Sequence, residues 1–459
     1  MALSRIWAAF ILISIAVAGI KYAFFPEYKD VLSSMVTGRV GDTLRVATPA
    51  ASSVNPAPAI STSPSPAVKA SGAPAYTLQR ADGIIETCKT AVNLSIGLIG
   101  LMALFMGLMS IAEAAGGIRV LSRIIGPFFS RLFPDLPKDH PAMGHMLMNF
   151  SANLLGLDNA ATPFALKAME SLQEINPDKN SASNPQIMFL CLHASGLQLI
   201  PITVMALRAS LKAPDPTDIF IPIVIATFVA TIASMSIVAI KQKINLFQPV
   251  ILLWVGGLSV LIAIVVLYLR TLDAEGVQSF SKTLASGMIL LIFLLIIGGA
   301  LYKKINIFEA FVQGAKGGFD TAVRIIPYLV GMLVAISLLR TSGTFDIVID
   351  AIKHFFTGIG ADTRFVDGLP TALIKPFTSA GARGMMVDTM TTFGNNSFAA
   401  RLSGILQGSS ESTFYVVAVY FGSVSIKNTR YSIGAMLLAD LVGILTSILL
   451  CYLFFGHSV

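Results

Sequence analysis

Long apolar runs without charged residues alternate with short polar segments along most of this chain. The clearest runs have about 20 residues, the length at which an α-helix crosses a hydrocarbon core of roughly 30 Å. We therefore expect membrane-spanning helices at residues 94–112, 219–240, 249–269 and 283–302. Two further spans are expected at 325–339, between Arg324 and Arg340, and at 431–455, which includes Asp440.

The beginning of the chain has a different pattern. Residues 1–25 carry Arg5 before an apolar stretch, as a signal peptide does, but no A-x-A site follows promptly and Lys21 lies near the end of the stretch. We therefore expect an uncleaved first helix. Residues 47–75 are rich in Pro, Ala and Ser, a composition typical of a disordered or extended linker.

Composition agrees with a lipid environment. Of the 459 residues, 54% are apolar and 12% are charged, whereas a soluble domain carries roughly 25% charged residues. The net charge of +7 comes largely from short basic clusters between apolar runs, which favours the positive-inside bias of membrane proteins over nucleic-acid binding. The three cysteines are far apart, so neither a disulfide framework nor a zinc site is indicated, and no cofactor is expected.

Four segments break the apolar pattern. Residues 140–169 and 369–393 mix apolar residues with Gly, Pro, Asn, Asp, Thr and basic residues. Lipid-facing backbone does not tolerate such a pattern, so each segment is predicted to be a re-entrant hairpin buried in protein. The runs 190–207 and 404–420 carry polar stretches, HASGLQ from His193 and QGSSEST from Gln407, and are predicted to be helices unwound inside the membrane.

These features recur in the same order in the two halves of the chain. Gly116-Gly117 and Phe128-Phe129 correspond to Gly343 and Phe355-Phe356, Pro141 corresponds to Pro370, and the two polar breaks follow. We expect an all-α polytopic membrane protein with two inverted repeats, each with a re-entrant hairpin and an interrupted helix, and about nine transmembrane helices. The predicted units are an N-terminal helix (1–25), an extramembrane linker (26–80), a first repeat (81–245), two joining helices (246–305) and a second repeat (306–459).

Several motifs of these halves are recognisable. In the first half they are GLMSIAE (107–113), HPAMG (140–144), NAATP (159–163) and IP (200–201); in the second they are GAKG (314–317), IPYLVGMLVA (326–335), QGSS (407–410), TFY (413–415) and VYFG (419–422). The first half resembles bacterial spore maturation protein A and the second resembles spore maturation protein B, so the chain resembles a fusion of the two. The resemblance implies the nucleoside-recognition or Gate domain, which concentrative nucleoside transporters also carry. It does not by itself establish a nucleoside substrate.

Polar side chains concentrate at the hairpins and at the interrupted helices. Helix ends at such breaks present free N–H groups to an anion and free carbonyls to a cation, although Asn, Ser and Thr also satisfy local backbone groups. Glu411 is the main candidate because it is the one acidic residue of the run 402–426 and small hydroxyl residues surround it. The predicted substrate-binding residues are Asn149, Asn153, Asp158, Asn159, Thr162, His193, Ser195, Gln198, Thr378, Ser379, Arg383, Asp388, Gln407, Ser409, Ser410, Glu411, Ser412 and Thr413.

Charged residues near the span ends have two interpretations. Glu113 and Arg340 are predicted to be gate or coupling residues, or else interfacial charges that face headgroups. Asp440 is the third gate or coupling candidate and is expected to be paired with a polar group, with a partner in the other half as one option. Lys167 and Lys375 are expected to extend to an interface.

The sequence favours a secondary transporter or facilitator of a small solute in the bacterial inner membrane, working by alternating access with a proton or sodium as candidate coupling ion. His193 or Glu411 is the candidate proton carrier. A membrane scaffold or regulator that binds a nucleoside-like or lipid ligand, and a lipid-moving protein, are the alternatives. No enzyme motif stands out. The expected partners are the lipid bilayer and a solute, and a homo-oligomer stays open.

Overall fold

The computed structural model describes residues 2–37, 39–46, 76–81, 83–137, 140–155, 158–198, 200–269, 271–272 and 274–456. Within these residues the chain is helical apart from one antiparallel ribbon, in which β1 (Arg39–Val46) pairs with β2 (Tyr76–Ala81). The sequence did not predict this ribbon, since an all-α chain was expected. The linker predicted at 47–75 lies outside the described residues.

The helices follow the predicted order. Up to the end of the first half they are α1 (Ala2–Phe24), α2 (Val31–Thr37), α3 (Ile84–Ala114), α4 (Gly117–Leu132), α5 (Pro141–Leu154), α6 (Asp158–Glu174), α7 (Asn184–Ala194), α8 (Ile202–Ser210) and α9 (Phe220–Gln242). The remaining helices are α10 (Pro249–Leu269), α11 (Ala274–Tyr302), α12 (Ile307–Thr341), α13 (Thr344–Gly358), α14 (Leu369–Ile374), α15 (Ser379–Phe393), α16 (Phe398–Gly408), α17 (Thr413–Val416), a π-helical turn (Val417–Phe421) and α18 (Ser432–Phe455).

The segments predicted to be irregular are irregular. The hairpin expected at 140–169 consists of α5 and α6, and the one expected at 369–393 consists of α14 and α15 separated by a turn that contains Pro376. The first interrupted helix is α7 and α8, with the break between Ala194 and Ile202, and the second is α16 and α17 with a break at 409–412. That the hairpins re-enter the membrane from one side stays a prediction.

The two halves share a turn after their first long helix. Gly116 and Gly343 both take the left-handed conformation, with φ of 80° and 73°, which a residue with a side chain adopts only at a cost. Each glycine precedes an amphipathic helix, α4 or α13. Near the end of that helix a Phe pair packs edge to face, with ring centroids 5.4 Å apart for Phe128 and Phe129 and 5.3 Å apart for Phe355 and Phe356.

The long helices α3 and α12 pack against each other in opposite directions. Gly107 faces Phe311, and Gly318 faces Met102 and Ala103, so positions rise along one helix as they fall along the other. The helices α9 and α18 are also antiparallel, because the Gln242 amide donates to the Tyr431 hydroxyl at 2.9 Å while Gly443 approaches Ala230. Two long helices of the first half, α3 and α9, are therefore each antiparallel to a long helix of the second half.

The first helix is attached to α12 along its length. The Trp7 indole N–H donates to the Gly331 carbonyl at 2.8 Å, and the Lys21 ammonium donates to the Ser342 carbonyl at 2.9 Å. Ser342 follows the last turn of α12, where carbonyls are free and a cation is favourable. Between these bonds Ala18 packs against Leu338. This part of the chain belongs to the packed body.

Six helices among the described residues are long and apolar enough to cross a membrane: Trp7–Phe24, Thr87–Ala114, Phe220–Gln242, Pro249–Tyr268, Thr283–Tyr302 and Ser432–Phe455. The stretch expected at 325–339 is the end of the longer helix α12, whose apolar part is Leu329–Thr341. The figure of about nine is reached only if α12 and the two interrupted helices also cross, and it stays a prediction. The joining helices α10 and α11 expose large apolar side chains such as Leu253 and Leu294, as lipid contact requires.

The antiparallel pairing leads to a test of topology. Because α3 and α12 run in opposite directions, α4 and α13 should begin on opposite sides of the membrane. Reporter tags inserted after Arg131 and after Lys353 should therefore give opposite locations, as judged by labelling of intact cells with an impermeant reagent. Both tags on one side would contradict the inverted arrangement.

Candidate functional site

The breaks of the two interrupted helices meet in the interior. The Glu411 N–H donates to the Ala194 carbonyl at 2.8 Å, which joins the end of α7 to the second break. Gly196 has φ of 61°, and a Cβ there would lie 3.4 Å from backbone atoms of Ser410 and Glu411. Position 196 therefore requires glycine for two reasons: the left-handed backbone conformation, and the close approach of the two broken segments.

The first half contributes a buried polar cluster beside this crossing. His193 Nδ1 lies 3.1 Å from Asn149 Oδ1 and 2.9 Å from Asn153 Nδ2, and it can donate to the first or accept from the second. Asn149 also donates to the Ala161 carbonyl at 2.8 Å across the hairpin. These bonds hold the α5–α6 hairpin against the interrupted helix. His193 therefore positions the hairpin, and this role is separate from the proton transfer predicted for it.

Hydroxyl groups extend this polar cluster along the first interrupted helix. Ser195 contacts the Thr231 hydroxyl at 2.9 Å and donates to the Leu192 carbonyl at 2.6 Å. Thr231 belongs to α9, so the break is tied to the helix that closes the first half. Ser195 was predicted to be a site residue, and Thr231 was not.

The second half contributes ionisable groups. Lys375, at the end of α14, donates to the carbonyls of Leu406 at 3.3 Å and of Gln407. Asp440 on α18 accepts from the Thr413 hydroxyl at 2.7 Å and from Ser410. Lys375 is 4% exposed and Asp440 is 8% exposed. The expectation that Lys375 extends to an interface is therefore wrong, whereas Lys167 is exposed as expected.

Lys375, Ser409, Ser410 and Asp440 line one small pocket, which we call the Lys375 pocket. Its free space is of the size of one water molecule or a bare ion. Both hydroxyl groups that donate to Asp440 belong to the second half, as Asp440 does. A partner in the first half, which the sequence left as one option, is therefore wrong for these hydrogen bonds. Beside the pocket, Ser379 at the start of α15 meets Ser412 at 2.7 Å between their hydroxyl oxygens.

The predicted gate residues Glu113 and Arg340 lie at opposite ends of the α3–α12 pair. Glu113 is exposed near the end of α3, and Arg340 lies near the end of α12, which is the opposite end of that antiparallel pair. Arg340 forms a bidentate salt bridge with Asp388 on α15, and its guanidinium lies 5.1 Å from the Phe345 ring centroid. Asp388 is thus a partner of Arg340 in the structure.

The other predicted residues fall into four groups. Thr378 caps α15 by accepting from the Gly381 N–H at 3.3 Å, and Ser409 donates to the Leu406 carbonyl at 2.9 Å, so both satisfy local backbone. Gln407 is buried and its side-chain oxygen has no hydrogen-bond partner among the described residues. Half-buried positions are held by Thr162, Gln198, Glu411 and Arg383. Asp158 and Asn159 begin α6, and their side chains lie outside what the structure describes.

A second charged cluster was missed by the sequence interpretation. Asp218 bridges two arginines, with Oδ1 2.7 Å from Arg208 Nη2 and Oδ2 2.8 Å from Arg401 Nε. Arg208 is 0% exposed and Asp218 is 2% exposed. Arg208 and Asp218 belong to the first half and Arg401 to the second, so this triad joins the halves. The described residues hold no group of three or more His, Cys, Asp or Glu side chains placed to bind a metal ion.

The class of this molecule follows from three features. It has long apolar helices with apolar outer surfaces, two helical hairpins, and two helices that are broken where they cross. It is a multi-pass helical membrane protein with a polar interior.

The chain belongs to the Gate family, described as "Nucleoside recognition", which matches residues 95–275 and 322–427. Spore maturation protein A of Bacillus subtilis (strain 168) is 42% identical over 156 residues, which is 34% of this chain and 80% of that protein. Spore maturation protein B of the same organism is 44% identical over 168 residues, which is 36% of this chain and 93% of that protein. The two relatives match different parts of the chain. No solved structure matches it.

Proposed function

We propose that this protein is a secondary transporter or facilitator of the bacterial inner membrane that moves a small solute by alternating access. The solute site in this proposal is the crossing of the two interrupted helices. The observation that carries it is the bond from the Glu411 N–H to the Ala194 carbonyl, which brings two helix breaks together in an apolar interior. Free backbone groups at such depth are tolerated where they line a cavity or bind a ligand.

The crossing holds more polar side chains than the packing of apolar helices requires. Glu411 is half-buried, and the buried residues Ser412, Ser195 and Gln407 lie in or directly beside the two breaks. Polar side chains inside a membrane are costly and usually mark a pathway for a solute or an ion. The Glu411 carboxylate is therefore the group that we expect to contact the solute or its coupling ion.

The contacts between the halves come in two matching sets, which supports inverted repeats. At one end the N–H groups of Lys427 and Asn428, before α18, donate to the Asn180 carbonyl, before α7, at 3.0 Å each. At the other end the order of the helices is reversed: the Asn395 amide, before the interrupted helix of the second half (α16), donates to the Leu211 carbonyl, before the closing helix of the first half (α9). Opening one set while the other stays closed would expose the crossing to one side at a time, as alternating access requires.

The family description makes nucleosides the first solutes to test. We expect purified protein in liposomes to speed the uptake of one solute from a panel of uridine, adenosine, succinate and phosphate, relative to empty liposomes. Glu411→Gln keeps the shape of the side chain and removes its charge. It should lower the initial uptake rate about tenfold or more, which corresponds to about 1.4 kcal/mol in the barrier.

The matched control is Glu170→Gln, the same change at an exposed position of α6. It should leave the uptake rate within about twofold of the parent, a difference of under 1 kcal/mol. If Glu411→Gln transports as the parent does, with the same dependence on pH and cations, Glu411 is a structural residue. If no solute of the panel enters faster than into empty liposomes, the scaffold or regulator alternative is favoured.

A further inference from the structure

We propose that the Lys375 pocket is a monovalent-cation site whose resident cation is the protein's own Lys375 ammonium. A hard cation such as Na⁺ takes the same position when the ammonium is removed. A role for this site as the ion site of a transporter rests on the proposed function. The cation site itself is inferred from packing, and its test does not require transport.

The ammonium lies where a helix end attracts positive charge. Lys375 donates to the carbonyls of Leu406 and Gln407, which belong to the last turn of α16. The last carbonyls of a helix have no partner within the helix and carry its negative dipole end. Here α16 ends inside the protein at the break, so these carbonyls depend on buried donors: Ser409 donates to the Leu406 carbonyl, and Lys375 donates to both carbonyls.

A buried carboxylate completes the charge balance. Asp440 lines the same pocket, and its charge is attracted by Lys375 and repelled by Glu411. The hydroxyls of Thr413 and Ser410 donate to it, so its oxygens are held in place by groups of the second break. One buried carboxylate facing one buried ammonium calls for a single positive charge at this position.

The chemistry of the pocket fits a hard cation. The oxygen-bearing side chains among its lining residues are the Asp440 carboxylate and the Ser409 and Ser410 hydroxyls, and the carbonyl of Leu406, another lining residue, accepts from Lys375. Oxygen ligands of this kind suit hard cations, and carbonyls of broken helices bind coupling ions. The free space is too small for a nucleoside but is of the size of a bare ion. The pocket therefore adjoins the solute site at the crossing, because Ser409 and Ser410 belong to the second break, but its own free space admits only an ion.

The test removes the ammonium and asks whether Na⁺ replaces it. In Lys375→Ala the Asp440 carboxylate loses its counter-charge, so the purified variant should unfold at a lower temperature than the parent in choline chloride. Exchanging choline for about 300 mM NaCl should raise its unfolding temperature by about 3 °C or more, because a ligand that binds only the folded state stabilises it. The parent should show no difference between the two salts.

Two controls decide the interpretation. Lys375→Ala/Asp440→Asn removes both charges and should respond to Na⁺ as weakly as the parent, and Lys316→Ala at an exposed lysine should behave like the parent. An equal Na⁺ response in all variants, or no response in Lys375→Ala, overturns the proposal. Failure of Lys375→Ala to fold at any NaCl concentration also overturns it. Transport without this response rejects the cation site alone, whereas the response without transport rejects the proposed function alone.

Discussion

Asp218→Asn is expected to destabilise the protein by about 3–5 kcal/mol, the usual cost of removing one partner from a buried charge cluster. The change keeps the size of the side chain but leaves Arg208 and Arg401 buried without their shared carboxylate. Arg401 cannot easily turn towards water, since its guanidinium also lies 4.6 Å from the Phe455 ring centroid. The unfolding temperature in detergent and the yield of monodisperse protein should both fall clearly below those of the parent.

Asp362→Asn is the matched control for this effect. Asp362 pairs with Arg364 at 2.8 Å, but the two side chains are 42% and 43% exposed. An ion pair in such a position contributes about 0–1 kcal/mol, because water and salt screen it. Equal losses of stability in Asp218→Asn and Asp362→Asn would mean that burial of the triad does not matter and that it does not hold the halves together.

The elements that depend on local pattern could be predicted from the sequence. The hairpin at Pro141, the turn at Gly343 and the break after Gln407 each follow from residue types within a few positions. Proline at the start of a helix, glycine in a left-handed turn and polar residues inside an apolar run are signals of backbone geometry. The hairpin, the turn and the break are therefore found in the structure at the positions that the sequence indicates.

Elements that depend on distant partners could not be predicted in this way. Asp218 and Arg401 are 183 positions apart, and nothing in either neighbourhood indicates the other. Lys375 reads as a lone lysine near a helix end, for which extension to the interface is the usual outcome. Its burial follows from the carbonyls of Leu406 and Gln407 at the end of α16, to which it donates and which only the fold brings beside it. Charges in these helices were thus the hardest residues to interpret.

Glu411 illustrates both cases. The sequence places it correctly in a break between α16 and α17. However, its contact with the first half is made by its backbone N–H, and the buried carboxylate of this region is Asp440. A hydropathy pattern finds the break but does not distinguish which carboxylate faces a cation. The two carboxylates therefore receive separate tests, Glu411 by transport and Asp440 by the Na⁺ response.

The packing of α3 on α12 depends on glycines that admit the opposite backbone. A Cβ on Gly314 would overlap the Met106 carbonyl and the Ser110 side chain, and a Cβ on Gly318 would lie 2.6 Å from the Met102 carbonyl. Backbone atoms cannot move aside as the end of a flexible side chain can. Small residues at such crossings let helices in membranes approach closely, where packing drives association.

Gly314→Ala is therefore expected to separate α3 from α12 and to cost about 1–3 kcal/mol, the usual penalty of overpacking. The control Gly317→Ala lies three residues further along the same helix, where a Cβ would be 3.6 Å from the end of the Met106 side chain. Both changes gain up to about 1 kcal/mol from the higher helix propensity of alanine. The difference between their unfolding temperatures in detergent thus isolates the contact. Gly314→Ala should unfold at the lower temperature, and equal temperatures would contradict the close crossing of the two long helices.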